Sequence, residues 1–335
     1  MAGEDERDAR SGPDVNADWE KALEAHGELT HAVLSNPHFM GEVVPNWLHA
    51  RFSKYGPNAT SPSAHAFKAL PGHIAQVEPI YVTQEMQHLT YTAMESFNPT
   101  EEAHPDDLFI TAGLALLDEQ FLAVDSAGLK TGWRCITWRH VDDAYDAGEP
   151  GVEVILWSHL DDTDEWDEHE DYMLQAETYK SWMRERGLRW SVAHATLIPY
   201  SYFNNLDHMG NDGDPKATWL EFLRVLNKLL GEKIALKSHR KPHRAIRRAA
   251  QRAGVKNPSE VLVVELRRPK ERAQPDWPAP VGREYSHQWI VHGGWQWRAC
   301  GPGHSRRRQV WIGDYVKGPK DKPLVVKKRV WVWDR

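Results

Sequence analysis

The chain contains only two cysteines, Cys135 and Cys300, in 335 residues. Two cysteines close one bridge at most, and neither sits at zinc-like spacing. That excludes a disulfide scaffold and points to a reducing, cytoplasmic compartment. Apolar runs are short as well. None approaches the roughly 18 residues a membrane helix requires, and the charged start, Met1 to Asp14, has no apolar segment of a secretory leader. There is no Gly-rich phosphate loop, no Ser/His/Asp order and no cysteine-nucleophile signature. No internal repeat is found. The expectation is a soluble, cytoplasmic chain that uses no cofactor and no metal, and is more readily a binding protein than an enzyme.

What the sequence has in excess is tryptophan and a lopsided charge. Sixteen Trp residues supply large flat faces that serve cores, interfaces and stacking sites alike. The net charge of −7 conceals two opposed parts: from Lys233 to Arg335 there are 25 Lys+Arg against 8 Asp+Glu, leaving 16 and 40 for residues 1–232. A block at +17 is the electrostatic footprint of nucleic-acid binding, unless the acidic part folds against it as an intramolecular clamp.

Periodicity and breakers predict an α+β protein with a helical N-terminal region, an antiparallel β-sheet core, a basic helical segment and a small C-terminal all-β module. Residues 1–15 read as a disordered tail, 16–106 as the helical region, 107–268 as the α+β core with the basic helix, 269–283 as a linker and 284–335 as the basic Trp-rich module. Asn16 is placed to cap a helix from Ala17 to Leu34 that Pro37 stops. Pro45 suits the first turn of a short helix through Trp47, and Gly56–Ser63 reads as a loop. A helix from Thr83 to Phe97 carries the stripe Met86, Leu89, Ala93, Met94, Phe97. Leu108–Leu117, Phe121–Val124, Trp133–Trp138 and Val152–Trp157 read as strands of a meander. An acidic loop, Asp161 to Asp171, leads to a helix from Tyr172 to Arg186 and a strand from Trp190 to Ile198. An amphipathic helix from Trp219 to Leu230 ends at Gly231, Pro242–Ala253 reads as a helix stopped by Gly254, and Val261–Leu266 reads as a strand.

Two constellations could carry recognition. Along Pro242–Ala253, Arg244, Arg248 and Arg252 recur at i, i+4, i+8, with Arg247 beside them, as a phosphate backbone would require. In the last segment, Trp295 and Trp297 alternate on a strand, and Arg306, Arg307 and Arg308 feed a second strand containing Trp311. Arginines there would contact phosphates while aromatics stack on unpaired bases. At least half of these Trp residues are expected in the core of so small a module. Two His-x-Thr triplets, His88-Leu-Thr90 and His194-Ala-Thr196, resemble the motifs of phosphoesterases that carry two of them on facing strands. His88 and Thr90 lie on a predicted helix, where residues two apart diverge by about 200°, so the pair cannot point into one cleft. The acidic loop lacks the glycine and spacing of an EF-hand.

The stretch from His287 to Leu324 also resembles the C-terminal module of a family of uncharacterised proteins from actinobacteria, their plasmids and their phages. The positions that carry the resemblance are Val291, Gly293, Trp295, Cys300-Gly-Pro-Gly303, Arg306 to Arg308, Trp311, Ile312 and Tyr315 to Pro319. Leu108–Arg139 and His194–Tyr200 look like that family's middle. More distantly, the module is similar to the end of a type V anti-CRISPR protein that suppresses production of its target nuclease at the level of messenger and translation. The resemblance implies a mobile-element or phage setting and an RNA- or ribosome-directed action. Gly294-Trp295-Gln296 stands where the pattern has His-Trp-Arg, which counts against an enzymatic role at that position.

The resulting expectation is a non-enzymatic nucleic-acid-binding protein of phage or mobile-element type, with RNA ahead of DNA as partner and no membrane. Phosphate contacts are assigned to Arg244, Arg247, Arg248, Arg298, Arg306, Arg307, Arg308 and Lys317, and stacking faces to Trp295, Trp297 and Trp311. The alternatives are an anti-defence or regulatory protein that binds a host protein or ribosome-associated complex, and a phosphodiester-cleaving enzyme with His194 or His292 as base.

Overall fold

The structure, a computed structural model, describes residues 18–46, 62–95, 110–124, 130–142, 149–162, 170–203, 218–266, 286, 289–291, 293–300, 303, 306–312 and 315–317. The expected tail 1–15, the whole linker 269–283 and residues 318–335 lie outside these residues.

Among the described residues, seven helices and a seven-stranded mixed sheet give an α+β fold. The helices are α1 (Lys21–Leu34), α2 (Pro62–His73), α3 (Gln84–Glu95), α4 (Glu170–Glu185), the single turn α5 (Tyr200–Phe203), α6 (Thr218–Leu230) and α7 (Arg244–Arg252). The strands of the large sheet are β1 (Glu78–Val82), β2 (Ala112–Val124), β3 (Lys130–Val141), β4 (Gly151–His159), β5 (Trp190–Pro199), β6 (Ala235–Arg240) and β7 (Val261–Leu266), in the order β5-β4-β3-β2-β1-β7-β6. β2 to β4 form the antiparallel meander read from the sequence, and β5, read as a separate strand, pairs antiparallel with β4. The break seen between Leu117 and Phe121 is a register shift within one strand, β2.

Two strands escaped the sequence reading. β1 lies inside the segment read as helical and pairs in parallel with both β2 and β7, so the sheet is mixed, not purely antiparallel. Its run Pro-Ile-Tyr-Val is buried throughout, as a central strand covered on both faces must be, and so it shows no alternation to read. β6 is the opposite case, an exposed edge strand with Lys237, His239 and Arg240 along it. Polar residues on an edge protect it from unwanted pairing but erase its apolar signature. Pro62 and Ser63, read as loop, open α2 instead.

The sheet is sandwiched between two helical layers. On one face, α1, α2, the end of α4 and α7 cover Tyr81, Leu114, Leu116, Cys135, Ile155, Trp157 and Val263. On the other, α3 and α6 cover Ile80, Val82, Ala115, Trp133, Trp138, Val154 and Leu156, and Trp311 of the C-terminal segment joins this second core. Ring contacts tie α3 and α6 to the sheet: Phe121 stacks on Trp133 at 4.7 Å, and Phe222 meets both edge-on at 5.7 Å.

In the first layer, burial shifts His26, His73 and Glu153 within the range between pH 4 and 7. Burial holds the His26 imidazole at a pKa of about 4, although its Nε2 lies 2.7 Å from the Ile74 carbonyl. His73 is likewise lowered to about 4 by burial and then by Arg139. Glu153 is 3% exposed and raised to about 7 by burial, which outweighs its 3.0 Å ion pair with Arg139. The two histidines are folded in their neutral forms, so their stabilisation is complete above pH 6.5 and is lost as pH falls towards 4. Glu153 acts the other way: it favours the folded state at low pH and loses that contribution as pH rises through 7. Between pH 6.5 and 4.5 two histidines oppose one carboxyl, so stability should fall by about 1 kcal/mol per pH unit on acidification. Urea midpoints across that range measure the slope. In a His26→Gln variant, where one histidine and one carboxyl remain in opposition, the slope should nearly vanish.

Candidate nucleic-acid interface

Residues 233–256 contain nine Lys/Arg and no Asp or Glu. The fold turns this run into a surface at one end of the sheet. Among the described residues β6 hydrogen-bonds only to β7 and forms an edge of the sheet. Along β6 the cations are partly engaged: Lys237 donates to the Leu230 carbonyl at 2.8 Å, His239 lies 3.0 Å from Glu78, and Arg240 pairs with Glu265 at 2.8 Å.

The chain then enters α7. Pro242, read as a first-turn residue, precedes the cap; His243 is the N-cap, and its ring accepts from the Ala245 N–H at 3.4 Å. The His243 N–H itself donates to Glu20 beside α1. At the other end Gly254 takes φ +105°, the left-handed conformation that ends a helix and that glycine adopts without strain. Between these ends, one face of α7 seats on α1. A Cβ at Gly27 would come within 3.2 Å of the Ala250 Cα, so the two backbones approach as only small residues allow.

Seating Ala250 inward turns the arginines outward. Arg244, Arg248 and Arg252 are exposed, stacked one turn apart at about 6 Å per step. Arg247 is half-buried and donates from Nε to the Pro242 carbonyl at 3.0 Å. Among the described residues none of these four guanidinium groups forms an ion pair, in contrast to Arg134, Arg139, Arg189 and Arg240. The intramolecular clamp weighed from the sequence is therefore not built at this helix among the described residues.

The second constellation lies elsewhere. β9 (Gly294–Cys300) and β10 (Arg306–Ile312) form one antiparallel ribbon, and β8 (Trp289–Val291) pairs with β11 (Tyr315–Lys317) in another. Trp295 donates from Nε1 to the Ala93 carbonyl at 3.1 Å and meets Trp311 edge-on at 5.5 Å, which docks the ribbon on the end of α3. These two assigned stacking faces are spent on packing. Trp297 is not: it is 52% exposed. Arg307, opposite Ala299, is exposed on the same side of the ribbon, whereas Arg298 is exposed on the other side and donates to Gln296 at 2.9 Å. In the register Arg308 lies opposite Arg298, Arg306 opposite Cys300 and Lys317 opposite Trp289; the side chains of Arg306, Arg308 and Lys317 lie outside the described residues. The residues assigned from the sequence thus fall into two groups. Arg244, Arg247 and Arg248 belong to the layer of α1, whereas the ribbon joins the opposite face of the sheet.

The other sequence motifs are placed as follows. His88 is exposed on α3 and pairs with Glu119 at 3.0 Å, whereas Thr90 is buried and donates to the Met86 carbonyl at 2.8 Å. His194 and Thr196 sit on β5, opposite Leu156 and Val154, so the two triplets are not on facing strands. His292 lies outside the described residues. Of the acidic loop, Asp161 pairs with Arg189 at 2.9 Å and Asp162 with Arg134 at 3.0 Å, and no group of three metal-ligating side chains occurs among the described residues. Cys135 is buried in the sheet, with its thiol pKa pushed up by burial. No helix among the described residues is long and apolar enough to cross a membrane.

What the sequence reading missed is the wall facing α7. Glu20, Glu24 and Glu28 recur at i, i+4, i+8 beside and along α1, an acidic counterpart of the arginine row. Its spacing was legible, but the helix read from Ala17 to Leu34 gave no reason to set it against residues more than 200 positions away.

No family model and no curated protein matches the chain. Among solved structures it is similar to AcrVA2, an anti-CRISPR protein, with a TM-score of 0.39 and 14% identity over 89% of this chain and 96% of that one. No residue role or action is carried over at that level of similarity.

The seating of α7 should depend on Gly27. Glycine costs a helix interior about 1 kcal/mol relative to alanine, so replacing it would ordinarily stabilise α1. In Gly27→Leu the overpacking against Ala250 should prevail, lowering stability by about 1–3 kcal/mol in urea denaturation and speeding hydrogen exchange in α7 before that of the central strands.

Proposed function

We propose that this protein binds nucleic acid, RNA before DNA, and contacts the phosphate backbone with Arg244, Arg248 and Arg252 of α7. The observation that carries this reading is the exposed, regularly spaced arginine row without ion-pair partners among the described residues. Guanidinium groups match phosphate oxygens in shape as well as charge, so an unoccupied row fits a backbone better than isolated surface lysines would. The row stands on a helix packed against the core, which fixes its spacing before a ligand arrives. The half-buried Arg247 and the basic edge of β6 extend the positive surface beside it. Trp297 offers a second contact, an exposed aromatic face with Arg307 on the same side of the ribbon, suited to an unpaired base.

The test is the salt dependence of binding to a single-stranded RNA 20-mer. Each neutralised phosphate contributes about 0.7 to the slope of log affinity against log salt. Replacing Arg244, Arg248 and Arg252 with alanine should therefore lower the slope by about 2. An unchanged slope removes α7 from the contact. Absence of RNA affinity, together with nuclease-resistant capture of one defined protein, would contradict the reading as a whole.

A further inference from the structure

Between α1 and α7 runs an open groove of about 640 Å³. Its floor is apolar, built from Leu23, Ile246, Ala249 and Ala250, and its rim is charged, with Glu24 and Glu28 from α1, Arg252 from α7 and Arg189 from the start of β5. The helices run in the same direction: Glu20 meets His243 at one end, and Gly254 lies against Thr30 and Leu34 at the other. Of the arginine row, Arg252 lines the groove together with Glu24 and Glu28, and Arg244 and Arg248 continue the row along α7 outside its lining.

The four charges on the rim cancel, so the groove itself does not recruit phosphate. Glu28 is already engaged, accepting from Arg189 at 3.3 Å and from the Trp190 indole at 2.8 Å. Glu24 has no such partner among the described residues. Partial burial and the neighbouring Glu28 and Glu20 carboxylates raise its pKa against the opposing pull of Lys21 and Arg189, a cost that an N–H donor would relieve. An apolar floor, one uncommitted carboxylate and an adjacent phosphate-binding ridge together match the parts of a nucleotide whose base has left the stack.

We propose that this groove receives one unpaired base of the strand bound along α7, and that the Glu24 carboxylate accepts from its N–H edge, with guanine preferred. The preference follows from donor geometry. Guanine presents two adjacent donors, N1–H and the N2 amino group, to the two carboxylate oxygens; cytosine and adenine offer a single amino group, and the N3–H of uracil is flanked by two carbonyls that repel a carboxylate. A good two-bond contact to a base discriminates by about tenfold. The inference rests on the nucleic-acid reading above and specifies what that surface selects.

The experiment compares decauridylate with the same oligomer carrying one central guanosine or one central cytidine, and with the guanosine oligomer in duplex form, by fluorescence anisotropy. The full-length protein should bind the single-stranded guanosine oligomer about tenfold more tightly than decauridylate, with the duplex losing that advantage. Glu24→Gln should abolish the preference while leaving the salt slope intact. Ala249→Phe, which fills the groove from an exposed position, should do the same. Equal affinity for all oligomers in the unaltered protein overturns the base-binding proposal and leaves the backbone reading standing; no affinity for any of them overturns both. A concentration-dependent dimer that Ala249→Phe dissociates, and that RNA does not, would show the groove filled by a second copy and would also overturn the proposal.

Discussion

The close approach of α1 and α7 at Gly27 and Ala250 governs the surface on which the functional reading stands. With no side chain at Gly27, α7 sinks until Ala250 is buried. A nine-residue helix has little stability of its own, and with four arginines in close succession it also repels itself. Packing of Ile246 and Ala250 against the first layer, the Glu20 carboxylate at the amino end and the left-handed Gly254 at the carboxyl end together hold it. Once those contacts fix one face inward, helical periodicity leaves the arginines no direction but outward.

Charge in this chain is sorted in space rather than cancelled. In the acidic part, arginines and carboxylates meet one another: Arg189 bridges Glu28 and Asp161, Arg186 reaches Glu42, and Arg139 is held by Glu153. The exposed pairs among these contribute little stability each, but all of them consume local positive charge. Within residues 233–256 the supply of acids stops, and the carboxylates nearest α7 come from α1, where Glu24 and Glu28 share a groove with Arg252. Glu265 and Glu78 reach over from neighbouring strands to meet Arg240 and His239, and no carboxylate among the described residues pairs with the arginine row beyond them. A surplus left open in this way favours an anionic ligand.

Much of this was legible in the sequence, and the gaps have physical causes. α6 and the basic helix announced themselves because each shows its period on one face, and the meander through short β-prone runs set apart by turn residues. β1 was hidden because a central parallel strand has no polar face, and β6 because a charged edge strand has almost no apolar one. The tryptophans show why composition underdetermines a site. Trp295, Trp297 and Trp311 look alike in the sequence, yet two are anchored by an indole hydrogen bond and an edge-on ring contact, and only Trp297 remains exposed. Which of them packs is decided by where β9 meets α3, a contact between residues some 200 positions apart. The same kind of long-range contact brings the acidic row of α1 beside α7.

The account is tested most directly by the chemical reactivity of the arginines themselves. Brief phenylglyoxal labelling, read residue by residue by mass spectrometry, separates guanidinium groups that are open from those that are engaged. Arg244, Arg248 and Arg252 should label well ahead of Arg139 and Arg240, and a saturating single-stranded RNA should shield the first three. Labelling of the α7 arginines as slow as that of Arg139 in the free protein, or undiminished by RNA, would contradict an open phosphate-binding row.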